Sequence, residues 1–288
     1  MGFRLWGRSC KERKQGFQKM LWVLQWTLHR AHGYERLIDA LNRFGVDHVF
    51  VKPVPFRLRL LPGDFDSPTA VDPDDVPEPT IEALRPVIVM GSYTLAKVAV
   101  ARGWRPGAFL ENTGYDAWGS KWPVLNPGAW TGPLRGARVV SPSFVRPLSD
   151  SKSFIGKVYD PVEFQEWQAS VIDLGPESYV NGGTPVLVAE PREIYSETRC
   201  FVVDGKVVTA SLYRVGGQVR YEEVLDGPTL AFARECIQTW VPSRAFVLDI
   251  ADTPDGFRVV EVNALNAAGF YACDLQKIVG ALEDAFPE

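Results

Sequence analysis

The sequence predicts an α/β chain whose second half is better described as α+β, and three observations lead there. Strand-like and helix-like segments alternate between about residues 20 and 110, the pattern of a small parallel layer covered by helices. From residue 139 onward strand-like runs dominate, and two of them are joined by Asp204-Gly205, the dipeptide of a two-residue hairpin turn. With 288 residues, 46% hydrophobic and 23% charged, the chain has enough apolar material for one large or two modest domains.

The elements follow in order. Residues 1–19 place Arg4, Arg8, Lys11, Arg13, Lys14 and Lys19 before the apolar run Met20-Leu21-Trp22-Val23-Leu24. That order imitates a signal peptide, but Gln25 interrupts the run and no small-residue cleavage site follows. Residues 1–19 are therefore expected to be a solvated tail, with Met20 a candidate natural start and Leu21 to Gln25 the first core strand. No stretch approaches the roughly 20 apolar residues of a bilayer span, so a cytoplasmic chain without a membrane partner is expected. Tyr34, Leu37, Ile38, Leu41 and Phe44 recur at helical spacing and stop at Gly45, a natural helix end; a strand at 48–51 follows. Five prolines from Pro62 to Pro79, among clustered acids, mark an exposed loop. Residues 86–90 form a predicted buried strand, Gly91-Ser92 its turn and N-cap, and 93–102 a helix.

Residues 111–135 are irregular and rich in Trp, Gly and Pro. They are expected to be a linker anchored by Trp118, Trp122 and Trp130, so that residues 20–135 make an N-terminal α/β domain with its linker and 136–288 a second domain. In that second domain strands are placed at 139–146, 154–158, 186–190, 199–203, 206–214, 245–250 and 257–263. Helices are placed at 161–170, 228–240 and 274–285.

Several function classes can be set aside. A net charge of -4 offers no broad basic surface to a nucleic acid. Cys10, Cys200, Cys236 and Cys273 lie far apart with no Cys-x-x-Cys pair, so buried reduced thiols are expected in place of a disulfide framework or zinc site. His29, His32 and His48 are the only histidines and all sit near the N-terminus, which argues against His-based acid–base or triad chemistry. The glycine patterns of the P-loop and of dinucleotide-binding turns are absent.

Three constellations remain. The Asp204-Gly205 turn sets a register in which residue 203 opposes 206, and Glu197, Arg199 and Arg214 fall on one sheet face. By itself such a set suits an exposed salt-bridge ladder equally well. A second hairpin runs from 245–250 through 252–256 to 257–263. Glu261 and Asn263 share a face of its second strand about 7 Å apart, and Asp249 sits late in the partner strand. Three oxygen donors on adjacent strands suit Mg²⁺, and suit a solvated strand end as well. Finally, Arg146 ends a strand before a small polar loop that holds Lys152, so two cations and loop amides could cradle phosphate, although loop cations are commonly just solvated.

In chain order, Phe144-Val145-Arg146-Pro147 with Lys152, the run Val186 to Pro191, Glu197 to Val208, Arg214, Asp249 and Glu261-Val262-Asn263 resemble the ATP-grasp superfamily. Within it they resemble the bacterial and phage clade distinguished by one arginine and two lysines. The resemblance covers about residues 139–288, and residues 20–110 look like the small Rossmann-like domain that precedes an ATP-grasp module.

What the resemblance implies can be placed residue by residue. ATP and Mg²⁺ would be the cofactors. Arg146, where typical members have a lysine, and Lys152 would contact the phosphates. Glu190 and Pro191 would form the hinge beside the adenine, Ile194 would line its pocket, and Glu197 would belong to the nucleotide site. Arg199 and Arg214 would hold the γ-phosphate and the charge that develops in transfer. Asp249, Glu261 and Asn263 would hold Mg²⁺, and Asn266 would orient the acceptor. The implied activity is ATP-dependent ligation of a carboxylate to an amine through an acyl phosphate, with a small molecule, a peptide or RNA as the acceptor. The alternatives are ATP-dependent RNA repair, favoured by Arg57, Arg59 and the basic tail, and a nucleotide-binding module without turnover.

Overall fold

The computed structural model describes residues 19–26, 33–63, 72–81, 85–149 and 153–287. The predicted tail up to residue 18, with Cys10, and also His29, His32 and Lys152 lie outside the described residues.

Strands β1 (Leu21–Gln25), β2 (His48–Pro53), β3 (Leu60–Pro62), β4 (Val87–Met90) and β5 (Pro106–Gly107) form one sheet in the order β3-β2-β1-β4-β5. All neighbours are parallel except β2 and β3. Unbroken apolar runs in β1 and β4 mean burial on both faces, as a parallel layer demands. Trp22 and Leu24 share a core with helix α1 (Tyr34–Phe44), and Leu21 and Val23 share one with helix α2 (Tyr93–Ala101). α1 stops at Gly45, whose φ of 59° is the left-handed conformation glycine adopts freely. β3 and β5, three and two residues long, are too short to leave a readable pattern.

The predicted linker contains the short helix α3 (Tyr115–Trp118) and a strand, β6 (Trp130–Pro133). That strand is a departure from the expectation of a wholly irregular segment. With β7 (Ser143–Pro147), β8 (Lys157–Tyr159) and β9 (Pro185–Ala189) it builds a second, antiparallel sheet in the order β6-β9-β7-β8. Trp118 and Trp122 are buried anchors, whereas Trp130 is exposed. Helix α4 (Pro161–Asp173) follows β8 and starts at Asp160, whose carboxylate accepts from the backbone N–H groups of Val162 and Glu163, each at 2.9 Å.

The third sheet contains β10 (Ser196–Val203), β11 (Lys206–Val215), β12 (Gln218–Glu223), β13 (Ala245–Thr253) and β14 (Gly256–Asn263), in the order β12-β11-β10-β13-β14. Helices α5 (Pro228–Thr239) and α6 (Leu275–Ala285) flank it. Even residues of β10, Cys200 and Val202, pack with Trp118, Trp122 and α5; Phe201 and Val203 pack with α6 and the first sheet. Glu197 and Arg199 continue that second face beyond the edge of the apolar core. Polar residues therefore begin where the covering layer ends, and this switch positions the site.

Among the described residues, no helix is long and apolar enough to cross a membrane. Cys200, Cys236 and Cys273 are buried and unpaired with one another, and burial pushes the Cys236 and Cys273 thiols up to about 12.

Candidate functional site

A cleft of about 540 Å³ lies between the second and third sheets. Phe144, Arg146 and Val158 line it from one sheet, and Glu197, Arg199, Tyr213, Arg214 and Glu261 from the other, with Pro191 and Ile194 on the connection between them. Glycine or alanine at the charged positions would leave an apolar slot; these side chains make it a polyanion site.

Its floor is a register match across three strands. Arg199 on β10 opposes Asp249 on β13, and Asp249 opposes Glu261 on β14. Arg199 donates Nε to Asp249 Oδ1 at 2.9 Å and Nη2 to Oδ2 at 2.7 Å, a planar two-point pair. Its Nη2 lies 4.0 Å from Glu261 Oε1, and Arg146 Nη1 lies 3.6 Å from Glu261 Oε2. Asn263 donates Nδ2 to both carboxylates, at 3.1 Å to Asp249 and 2.9 Å to Glu261. Tyr115 and Trp118 stand under the Arg146 guanidinium at 5.9 and 5.8 Å, so α3 helps to hold that cation.

The expected shared face of the first hairpin arises through two irregularities. β11 carries an extra residue near Phe201/Val202 and another near Glu197/Thr198, so Arg199 opposes Ser211 and Glu197 opposes Arg214. Two one-residue bulges restore the alternation that one would invert. The second bulge also turns Tyr213 inward: its hydroxyl donates to Glu197 Oε2 at 2.7 Å while Arg214 Nη1 donates to Oε1 at 2.9 Å.

Burial and charge compete in this floor. Burial pushes the Asp249 carboxyl up to about 6, with Arg199 pulling it down and Glu261 adding to the rise. Burial also acts against ionised Glu261, yet Arg146, Asn263 and Arg199 together leave it below the usual carboxylate range. For Arg199 burial disfavours the charge and Asp249 more than offsets it.

Arg146, Pro191, Ile194, Glu197, Arg199, Arg214 and Glu261 thus come together, with Asp249 and Asn263 immediately beneath. Two named residues stand apart. Glu190 projects into solvent, its carboxylate 3.7 Å from Arg192, so only its main chain borders the hinge. Asn266 is buried elsewhere: its Oδ1 accepts from Phe109 N at 2.7 Å, and its Nδ2 donates to Val89 O at 2.6 Å and Gly107 O at 3.3 Å. Its amide is used up holding the first sheet, which leaves nothing to reach the cleft. Reasoning from sequence missed Tyr213, Tyr271 and Arg192, all lining the cleft. Tyr213 carries an odd number after the turn, which strict alternation sends to the opposite face; Tyr271 sits in a loop without a motif.

The donor set fits a magnesium ion arriving with a nucleotide. Two cations, Arg146 and Arg199, balance two carboxylates, Asp249 and Glu261, so the floor is close to neutral. A bare divalent cation finds little net attraction there, whereas a cation bridged to phosphates brings its own countercharge. Asn263 needs only to rotate its amide to present oxygen alongside the two carboxylates.

A small doubly wound sheet, followed by two antiparallel sheets that enclose an arginine- and carboxylate-lined cleft, defines the ATP-grasp class. The chain belongs to the ATP-grasp domains, in family 3 of the clade named for one arginine and two lysines, whose profile matches residues 66–282. Among solved structures it is similar to a RimK domain protein ATP-grasp from Sphaerobacter thermophilus, at 19% identity and TM-score 0.57, over 92% of this chain and 98% of that one. It is also similar to the ATP-grasp ligase PsnB complexed with minimal precursor, at 13% identity and TM-score 0.51, over 92% and 98%. The D-alanine–D-alanine ligase of Bacillus anthracis aligns at 13% identity and TM-score 0.55, over 91% and 92%. At these identities the likeness is one of fold. No curated protein matches the chain in sequence.

Proposed function

We propose that this protein is a magnesium- and ATP-dependent ligase that joins a carboxylate to an amine through an acyl phosphate. The observation that supports it most is the Arg199, Asp249, Glu261 and Asn263 cluster facing Arg146 across the cleft. Two of the similar structures are ligases by name, which favours the same reaction class.

In this reading Arg146 binds the phosphates from above, and Pro191 and Ile194 bound the adenine. Arg199 and Arg214 meet the γ-phosphoryl oxygens. A substrate carboxylate oxygen attacks the γ-phosphorus, the bond to the bridging oxygen breaks, and ADP leaves. An amine nitrogen then attacks the acyl carbon, phosphate departs, and the amine proton passes to phosphate or solvent. Asp249, Glu261 and Asn263 would hold Mg²⁺, which supplies neutralising charge at the β- and γ-phosphates when bound. The side chains need supply no covalent nucleophile, because oriented cations do the stabilising.

RNA repair loses its positive support, since Arg57 pairs with Asp74 and Arg59 donates to Val76 O, so neither presents a free cation. The test is to incubate the protein with Mg-ATP, amino acids and short peptides, and to identify the nucleotide products. ADP and phosphate are expected; AMP and pyrophosphate would overturn the acyl-phosphate route. Glu261→Gln is expected to lower ATP turnover about a hundredfold, and unchanged turnover would remove Glu261 from the metal set.

A further inference from the structure

Tyr271 is a bulky residue in the left-handed region, with φ 48°. Such a backbone is disfavoured for any residue with a Cβ and persists only where its surroundings enforce it. Here they do. Arg36 on α1 donates to the carbonyl oxygens of Tyr271 and Cys273, Ala272 N donates to Ser211 Oγ at 3.1 Å, and Arg199 Nη1 donates to Gly269 O at 3.3 Å.

The held ring meets Arg199. Its centroid is 4.9 Å from the guanidinium carbon, and it stacks on Tyr213 at 5.1 Å and 21°, while Tyr213 lies 5.6 Å from the same guanidinium. Tyr221 stacks on its other side at 4.9 Å and 17°. The arrangement answers a conflict in the floor: Asp249 is both the partner of Arg199 and, under the proposed function, a metal ligand. A carboxylate shared with a divalent cation holds a guanidinium less firmly, whereas an aromatic face makes no demand on that carboxylate.

We propose that Tyr271 is a positioning residue whose strained backbone and stacked ring keep the Arg199 guanidinium aimed into the cleft independently of Asp249. This rests on the reading of Arg199 as the γ-phosphate cation, so the test needs a measurement that does not depend on turnover.

The variants are Tyr271→Phe, Tyr271→Leu, Tyr271→Ala and Tyr271→Gly. The first measurement is the Nε–H resonance of Arg199 in protein ¹⁵N-labelled at arginine, assigned by its loss in Arg199→Lys. Phe is expected to keep that signal sharp, and the three variants without a ring to broaden it. In ATP turnover Phe is expected to match the parent, and the others to lose about tenfold in kcat with KM for ATP within about twofold. Gly is expected to melt about 2–4 °C above Ala, the strain released. If the ringless variants keep both the signal and kcat, or if Phe falls with Ala, the proposal is overturned. Should the parent itself fail to turn over ATP, the ligase reading falls, and the Nε–H signal still decides the clamp.

Discussion

At the scale of single residues, Asp249 determines how the site responds to acid. Burial pushes its carboxyl up to about 6 despite Arg199. For an acid with a raised folded pKa, the stabilising contribution is complete below the ordinary aspartate value and is lost as pH rises through the folded one. Acid therefore does not weaken the fold through this residue. Activity should move the other way, because the two-point grip on Arg199 requires an ionised carboxylate. ATP turnover is expected to fall with a midpoint near pH 6, before any loss of structure seen by circular dichroism. Full turnover held down to about pH 4.5, near the ordinary carboxylate range, would show that Asp249 stays ionised there. Glu261 has the opposite sign: Arg146, Asn263 and Arg199 hold it low against its burial, so its contribution is present above the ordinary glutamate value and fades below it.

At the scale of elements, the β10–β11 hairpin separates stability from chemistry. Its tight end is built on Asp204 and Gly205, at φ 44° and 68°, and its open end carries Glu197, Arg199 and Arg214. A Cβ added at Gly205 meets no atom within 4 Å, so the cost of Gly205→Ala lies wholly in the backbone. That substitution is expected to remove about 1 kcal/mol in urea unfolding and to leave ATP KM unchanged, since the bulges lie between the turn and the cleft. Unaltered stability would mean that the turn relaxes to another type. The hairpin also shows which parts of an element can be anticipated. Asp-Gly between two β-rich runs announces the turn, and Gly216-Gly217, at φ 54° and 80°, could have announced β12 in the same way. The bulges had no such sign.

For the whole molecule, Asn266 ties the first sheet to the loop that follows the metal-set strand. Besides its three side-chain bonds, its carbonyl accepts from Gly91 N at 2.8 Å. Asn266→Leu strands Phe109 N, Val89 O and Gly107 O in a buried seam and is expected to cost about 2–3 kcal/mol. Differential scanning calorimetry reads that loss directly, while KM for ATP in the folded protein should stay within about twofold. A large rise in KM with normal stability would instead return Asn266 to the acceptor role that the resemblance implied. The same seam includes Arg36 and Tyr271, so the N-terminal layer contributes to the site by fixing the loop at its edge and, among the described residues, supplies no lining residue of the cleft.

The linear chain determined whatever depends on short-range order. Continuous apolar runs specified the buried strands, helical spacing specified α1, the Asp-Gly turn specified a hairpin, and the succession of Arg146, Arg199, Arg214, Asp249, Glu261 and Asn263 specified a site chemistry. Tertiary structure alone decided which of these charges meet and what steadies them. Two bulges bring Tyr213 to Glu197 and leave Arg199 level with Asp249, a loop held by Arg36 and Ser211 delivers Tyr271, and Asn266 goes to a seam in place of the cleft. The physical reason is that register, strain and burial are set by partners far away along the chain, and their combined energy overrides the local preference of any one residue.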